Sequence, residues 1–192
     1  MIAVLDYGMG NLRSVKRALE HVGATVQVTG DPSIVAKADR IVLPGVGAFG
    51  EAIKRIDLLG LRKVMLPAIN RPLLGICLGM QLLFEGSEEN PGVPGLSLLP
   101  GQVKRFSTRV KVPHIGWNDV MPCGGKLLGP DARSFYFDHS YCVPSSTGMT
   151  GTTTYDNEFV SAVENANIMG VQFHPEKSQD AGLELLKTFA HL

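Results

Sequence analysis

The sequence predicts an α/β fold in one domain, residues 1–192, with a central mixed, mostly parallel sheet covered by helices on both faces. Three observations lead there. Short apolar runs of four or five residues alternate with stretches of helical periodicity through the first half of the chain, the pattern of parallel strands buried on both faces. The second half reads mostly as strands with polar or glycine-bearing connections, which adds antiparallel strands to that sheet. No linker or internal repeat divides the 192 residues, a length that suits one domain with a sizeable core.

The elements follow in order. "IAVL" (2–5) is a buried strand. Leu12, Val15, Leu19 and Val22 line one face of a helix that Gly23 ends. "TVQVT" (25–29) and "RIVLP" (40–44) are the next strands, and helical spacing returns between Phe49 and Ile69. "PLLGI" (72–76) is a strand, and Leu78 to Glu85 a helix. "QVKRF", "HIGWNDV", "SFYFDHSY", "GTTTY", "FVSAVE" and "IMGVQF" are strands, and a last helix runs from about Asp180 to His191.

Composition narrows the function. Lys plus Arg and Asp plus Glu each number 18, so no basic surface for nucleic acid or an anionic membrane is implied. No apolar run is long enough to span a bilayer, and the N-terminus lacks the basic region of a targeting signal. Cys77, Cys123 and Cys142 are odd in number and have no CxxC spacing, which argues against disulfides and a zinc site and for a reduced, cytoplasmic setting.

Three segments carry chemistry. Gly75-Ile76-Cys77-Leu78-Gly79 has the form G-x-C-x-G, a nucleophile elbow on a sharp strand-to-helix turn. The turn lifts the sulfur above the sheet and sets it at the positive end of a helix, which favours thiolate; the bland reading is a small buried hydrophobe. "QFHPEKS" (172–178) changes that balance: His174 can act as the base, and Glu176, held by the stiff Pro175, can orient it. "LPGVGAFG" (43–50) follows a strand with glycines that free backbone N–H groups for an oxyanion, although alone it reads as a plain turn. "DYGMGNLRS" (6–14) is not a dinucleotide fingerprint, because Arg13 replaces the last glycine. His114 and His139 have no metal-ligand spacing, so neither metal nor cofactor is expected.

Taken together these residues resemble a class I, triad-type glutamine amidotransferase, a flavodoxin-like single domain. "DYGMGNLRSV", "LPGVGAFG", "GICLGMQLLFEGSEE", "VPHIGWNDV" and "FYFDHSY" resemble, more narrowly, the glutaminase subunits of imidazole glycerol phosphate synthases in histidine biosynthesis. The resemblance covers the whole chain; Asp138 departs from it, standing where an apolar or small residue is expected before His139. It implies a triad of Cys77, His174 and Glu176, with oxyanion donors from Leu78 and from Val46 or Gly47. It also implies a glutamine pocket around Gly45, Gly47, Gln81, His139, Ser140 and Tyr141. The implied partner is a (β/α)₈-barrel cyclase in a heterodimer, with Asn11 and Trp117 near the interface, that receives ammonia through its interior. Two alternatives stay open from the sequence: a paralogous glutaminase serving a sugar amidotransferase in surface-polysaccharide synthesis, and a non-catalytic flavodoxin-like binding module.

Overall fold

A computed structural model describes residues 1–66 and 71–192. Nine strands among the described residues form one sheet in the order β2-β1-β3-β4-β12-β11-β10-β7-β8. The parallel half comprises β1 (Ile2–Leu5), β2 (Val26–Thr29), β3 (Arg40–Leu43), β4 (Leu73–Ile76) and β12 (Ile168–Val171). From β12 outward, β11 (Glu158–Asn165), β10 (Met149–Thr154), β7 (His114–Pro122) and β8 (Arg133–His139) pair antiparallel. A small side sheet joins β5 (Gly86–Ser87), β6 (Gln102–Arg105) and β9 (Tyr141–Cys142).

Strand period sorts the core into two layers. Ile2 and Val4 of β1 pack with α1 (Leu12–His21) and α6 (Gln179–His191), through Val15, Leu19, Leu186 and Phe189. Ala3 and Leu5 face the other way, onto α3 (Phe49–Leu58), α4 (Leu61–Met65) and α5 (Leu78–Leu82), through Phe49, Ile56, Leu61 and Leu82. Burial on both faces explains why "IAVL" and "LLGI" lack alternation.

Several elements differ from the sequence reading. The expected helix over 49–69 is two helices, parted at Gly60, whose φ of +69° suits a residue without Cβ; its last residues, 67–69, lie outside the described residues. The short α2 (Pro32–Val35), capped by Asp31, was hidden by its length. The helix after Cys77 ends at Leu82, so its dipole is smaller than that of the eight-residue helix expected. "SFYFDHSY" divides between two sheets at Ser140. Among the described residues no helix is long and apolar enough to cross a membrane.

The order β1-β3-β4-β12 decides where chemistry can occur. These parallel neighbours lie about 4.8 Å apart and point the same way. Their carboxyl ends therefore deliver the segments 6–11, 44–48, 77 and 172–176 to one rim of the sheet, where open α/β sheets bind ligands.

Candidate active site

Cys77 leaves β4 with φ +54° and ψ −112°, a conformation that L-residues rarely adopt and that strand-to-helix elbows impose on a nucleophile. Its N–H donates to the Val171 carbonyl oxygen of β12 at 2.8 Å, which fixes the turn to the neighbouring strand. The flanking glycines are needed for space. A Cβ on Gly75 would stand 2.7 Å from the Gly79 carbonyl oxygen, and one on Gly79 only 1.8 Å from the Leu43 carbonyl oxygen. The elbow is thus pressed onto β4 behind it and β3 beside it.

His174 follows β12 on the adjacent strand end. Its Nδ1 is 2.8 Å from Glu176 Oε1, and both side chains are almost wholly buried, at 2% and 1% exposure. Its backbone is held on two sides: His174 N–H donates to the Tyr136 carbonyl at 2.8 Å, and the Ser178 hydroxyl donates to the His174 carbonyl at 2.6 Å. Burial disfavours the imidazolium. Hydrogen bonding and opposite charge from Cys77 and Glu176 outweigh it, and push the His174 pKa up to about 10. His174 Nε2 nevertheless makes no well-formed hydrogen bond, and neither does Glu176 Oε2. The thiol instead points at the Asp138 carbonyl oxygen, 3.6 Å away. Sulfur and imidazole are close enough to interact but not aligned.

A cavity of about 270 Å³ opens in front of the sulfur, lined in part by Val46, Gly47, Leu78, Gln81, Ser140 and Tyr141. Cys77, His139 and Asp138 line it as well. So the structure brings nearly all the expected pocket residues together. Gly45 is the exception: it sits behind the wall, where a Cβ would meet the Tyr7 hydroxyl at 2.7 Å and the Gly79 nitrogen at 2.8 Å. Its place is in packing β3 against α5, not on the cavity surface. Gln81 lines the wall but spends its amide N–H groups inside the protein, on the Tyr141 carbonyl and Gln172 Oε1, each at 2.9 Å.

Four contributors were missed from the sequence. Glu89 places a carboxylate on the cavity while accepting the Phe49 N–H at 2.8 Å. Gln172, buried, directs its amide to the Cys77 sulfur at 3.8 Å. The same strand-end parity that aims His174 inward also applies two residues earlier, so Gln172 was readable. Tyr7, at the end of β1, donates its hydroxyl to the Pro44 carbonyl at 2.6 Å, and Met9 packs against Gly47. The 6–11 loop is thereby strapped onto the 44–47 loop. Asn11 occupies the N-cap position of α1, without a side-chain capping bond, at the end of that first loop, and Trp117 stands half exposed on β7.

Gly47 has φ +102°, a conformation that favours glycine and supports the placement of an N–H-rich turn beside the sulfur. The cavity thus offers a thiol, with an imidazole–carboxylate couple behind it and the Val46–Gly47 and Leu78 segments beside it, an arrangement suited to acyl transfer through a thioester.

Comparison with known proteins agrees with this chemistry. The family "Glutamine amidotransferase class-I" matches residues 3–191. The imidazole glycerol phosphate synthase subunit HisH of Moorella thermoacetica is 50% identical, over 100% of this chain and 94% of the relative. HisH of Methanothermobacter thermautotrophicus is 47% identical, over 100% and 98%. A crystal structure of a glutamine amidotransferase, 19% identical, superposes with a TM-score of 0.80 over 100% of this chain and 99% of the other, which bears on the fold. With half its residues shared along its whole length, the chain belongs to the class I glutamine amidotransferases, in the branch of the HisH subunits of imidazole glycerol phosphate synthase.

Proposed function

We propose that the chain is the glutaminase subunit of an imidazole glycerol phosphate synthase, hydrolysing glutamine to glutamate and ammonia with a triad of Cys77, His174 and Glu176. The single observation that carries the reading is the meeting of the Cys77 elbow, which faces the cavity, with the buried His174–Glu176 couple beside it. A non-catalytic binding module has no use for a strained thiol beside such a couple. The similarity to HisH relatives favours the histidine branch over the polysaccharide paralogue.

The steps follow from the groups present. His174, whose raised pKa keeps it protonated near pH 7, holds the proton of Cys77, and the sulfur attacks the side-chain amide carbon of glutamine. The Leu78 N–H and one from Val46 or Gly47 hold the developing oxyanion. His174 returns the proton to the leaving nitrogen, ammonia departs and a thioester remains. The same imidazole then activates water, which releases glutamate and restores the thiol. Glu176 holds the Nδ1 hydrogen throughout and offsets the charge on the ring. Glu89 and Asp138, both on the cavity, supply negative charge for the substrate's ammonium group.

The partner in this reading is a (β/α)₈-barrel cyclase that receives the ammonia in a cytoplasmic heterodimer, and residues 1–192 act as one catalytic domain. Asn11 and Trp117 would lie near that contact. The strap from Tyr7 and Met9 to Pro44 and Gly47 supports a route by which the partner could set the oxyanion turn. The test is glutamate release from the chain alone, with the cyclase, and with the cyclase and its nucleotide ligand. Rising rates across the three support a partner-dependent glutaminase. No release in any of them would overturn the proposal.

A further inference from the structure

Behind the cavity wall lies a buried polar chain that the proposed chemistry does not use. His139 Nδ1 is 2.7 Å from the Tyr141 carbonyl oxygen. A carbonyl only accepts, so Nδ1 carries the hydrogen. Burial holds the pKa of His139 down to about 3 and that of His114 to about 4, so both rings are neutral near pH 7. The Nε2 of His139 is then an acceptor, and the atom facing it at 3.0 Å is His114 Nδ1, which must donate. That leaves His114 Nε2 as an acceptor, met by Asn118 Nδ2 at 3.2 Å.

The Asn118 amide cannot be turned around. Its Nδ2 also donates to the Thr154 carbonyl at 3.1 Å, and its Oδ1 accepts the Asp119 N–H at 2.8 Å. A flip would set oxygen against oxygen at Thr154 and hydrogen against hydrogen at Asp119. One arrangement of hydrogens therefore satisfies the whole chain, from Asn118 through both imidazoles to Tyr141. Aromatic rings enclose it: His114 stacks on Phe137 and Tyr155, with centroids at 4.8 and 4.0 Å, and His139 packs on Phe106 and Phe159. In such surroundings a lost donor is not replaced by water at no cost.

The chain ends on the segment that faces the nucleophile. The Tyr141 carbonyl takes a second donor from Gln81 at 2.9 Å, and the Asp138 carbonyl accepts from the Cys77 thiol at 3.6 Å. We propose that His114 and Asn118 are positioning residues for the glutamine pocket: they lock His139 in its Nδ1–H tautomer and so hold the 138–141 wall in register with Cys77. Neither residue lines the cavity. The proposal rests on the reading of that cavity as the glutamine site.

The test has a spectroscopic and a kinetic arm. In the ¹⁵N spectrum of the histidine-labelled chain near pH 7, His114 and His139 should both appear as neutral Nδ1–H tautomers. An Nε2–H tautomer at His139 would overturn the proposal, whatever the activity. In the complex with the cyclase, His114→Phe keeps the ring between Phe137 and Tyr155 but removes the donor. It should raise the KM for glutamine about tenfold while kcat changes less than about threefold. His114→Asn, which returns an amide donor near the Nδ1 position, should recover most of that loss. A His114→Phe enzyme with wild-type KM, or an Asn variant no better than Phe, would contradict the proposal. Should His114→Phe fail to fold, the wild-type spectrum still decides. A wild-type complex that releases no glutamate would instead overturn the glutaminase reading, with the tautomers still legible.

Discussion

Gly79→Ala is a single-methyl change that strikes the wall of the elbow. The added Cβ would stand 1.8 Å from the Leu43 carbonyl oxygen, well inside the 3.0 Å that real Cβ atoms essentially never breach. Both sides of the clash are backbone, so no side chain can swing away. Either α5 lifts off β3 or the end of β3 moves, by at least about 1 Å. Cys77 sits two residues before the lesion, and the Gly45–Gly47 turn two to four residues beyond Leu43, so sulfur and oxyanion donors separate. A misplacement of that size costs roughly a hundredfold in rate. Overpacking adds about 1–3 kcal/mol of destabilisation, or roughly 2–12 °C in Tm for a chain of this length. Glutamate release in the cyclase complex and a thermal melt measure the two effects. Gly129→Ala, where a Cβ meets nothing within 4 Å, is the control and should be silent in both. A Gly79→Ala enzyme with wild-type rate and Tm would refute the claim that the elbow is wedged against β3.

Cys77→Ala should lower glutaminase activity at least about a thousandfold in a folded protein, while ammonium salts at alkaline pH restore the synthase reaction of the complex; a dead complex with ammonia present would mean Cys77 does more than release it. Glu176→Gln keeps an acceptor for His174 but removes the charge, and glutamate release should fall about a hundredfold; a rate within threefold of wild type would contradict its role. The raised His174 pKa also predicts a pH effect on stability: the contribution is full below about 6.5, its unfolded value, and is lost as pH rises through about 10. Urea unfolding across that window should show the fall, and Glu176→Gln should flatten it. Tyr7→Phe removes the hydroxyl that holds Pro44, and should weaken activation by the cyclase several-fold while leaving the fold intact; unchanged activation would exclude the strap as a route.

Much of this was legible in the sequence because the chemistry sits where strands end. An apolar run that stops at Gly75-Ile76-Cys77, and another that stops before His174, announce both a strand and its functional tip. Parallel order then brings the tips together, so local motifs were enough to nominate the triad. What the sequence hid depends on contacts across the fold. Glu89 ends the GICLGMQLLFEGSEE stretch, but nothing local gives it a role; it comes to the cavity through its bond to the Phe49 N–H at the start of α3, a contact across the fold. His114 and His139 looked like two isolated histidines, and β7–β8 register makes them partners. Gly45 was expected on the cavity; a glycine pattern cannot say which glycine faces a ligand and which makes room for a neighbouring strand. The helix over 49–69 failed at Gly60, where helical apolar spacing persists across a break in the backbone.

In the proposed reaction Cys77 is the nucleophile toward glutamine, and the chain supplies its own control. Cys77 is buried at 5% exposure behind a glutamine-sized cavity, whereas Cys123 is exposed to any reagent in solution. A diazo-ketone analogue of glutamine, incubated with the cyclase complex and followed by peptide mass spectrometry, should place one adduct on Cys77 and leave Cys123 free, with excess glutamine protecting. An adduct on Cys123 in preference to Cys77, or modification that glutamine does not slow, would contradict the assignment.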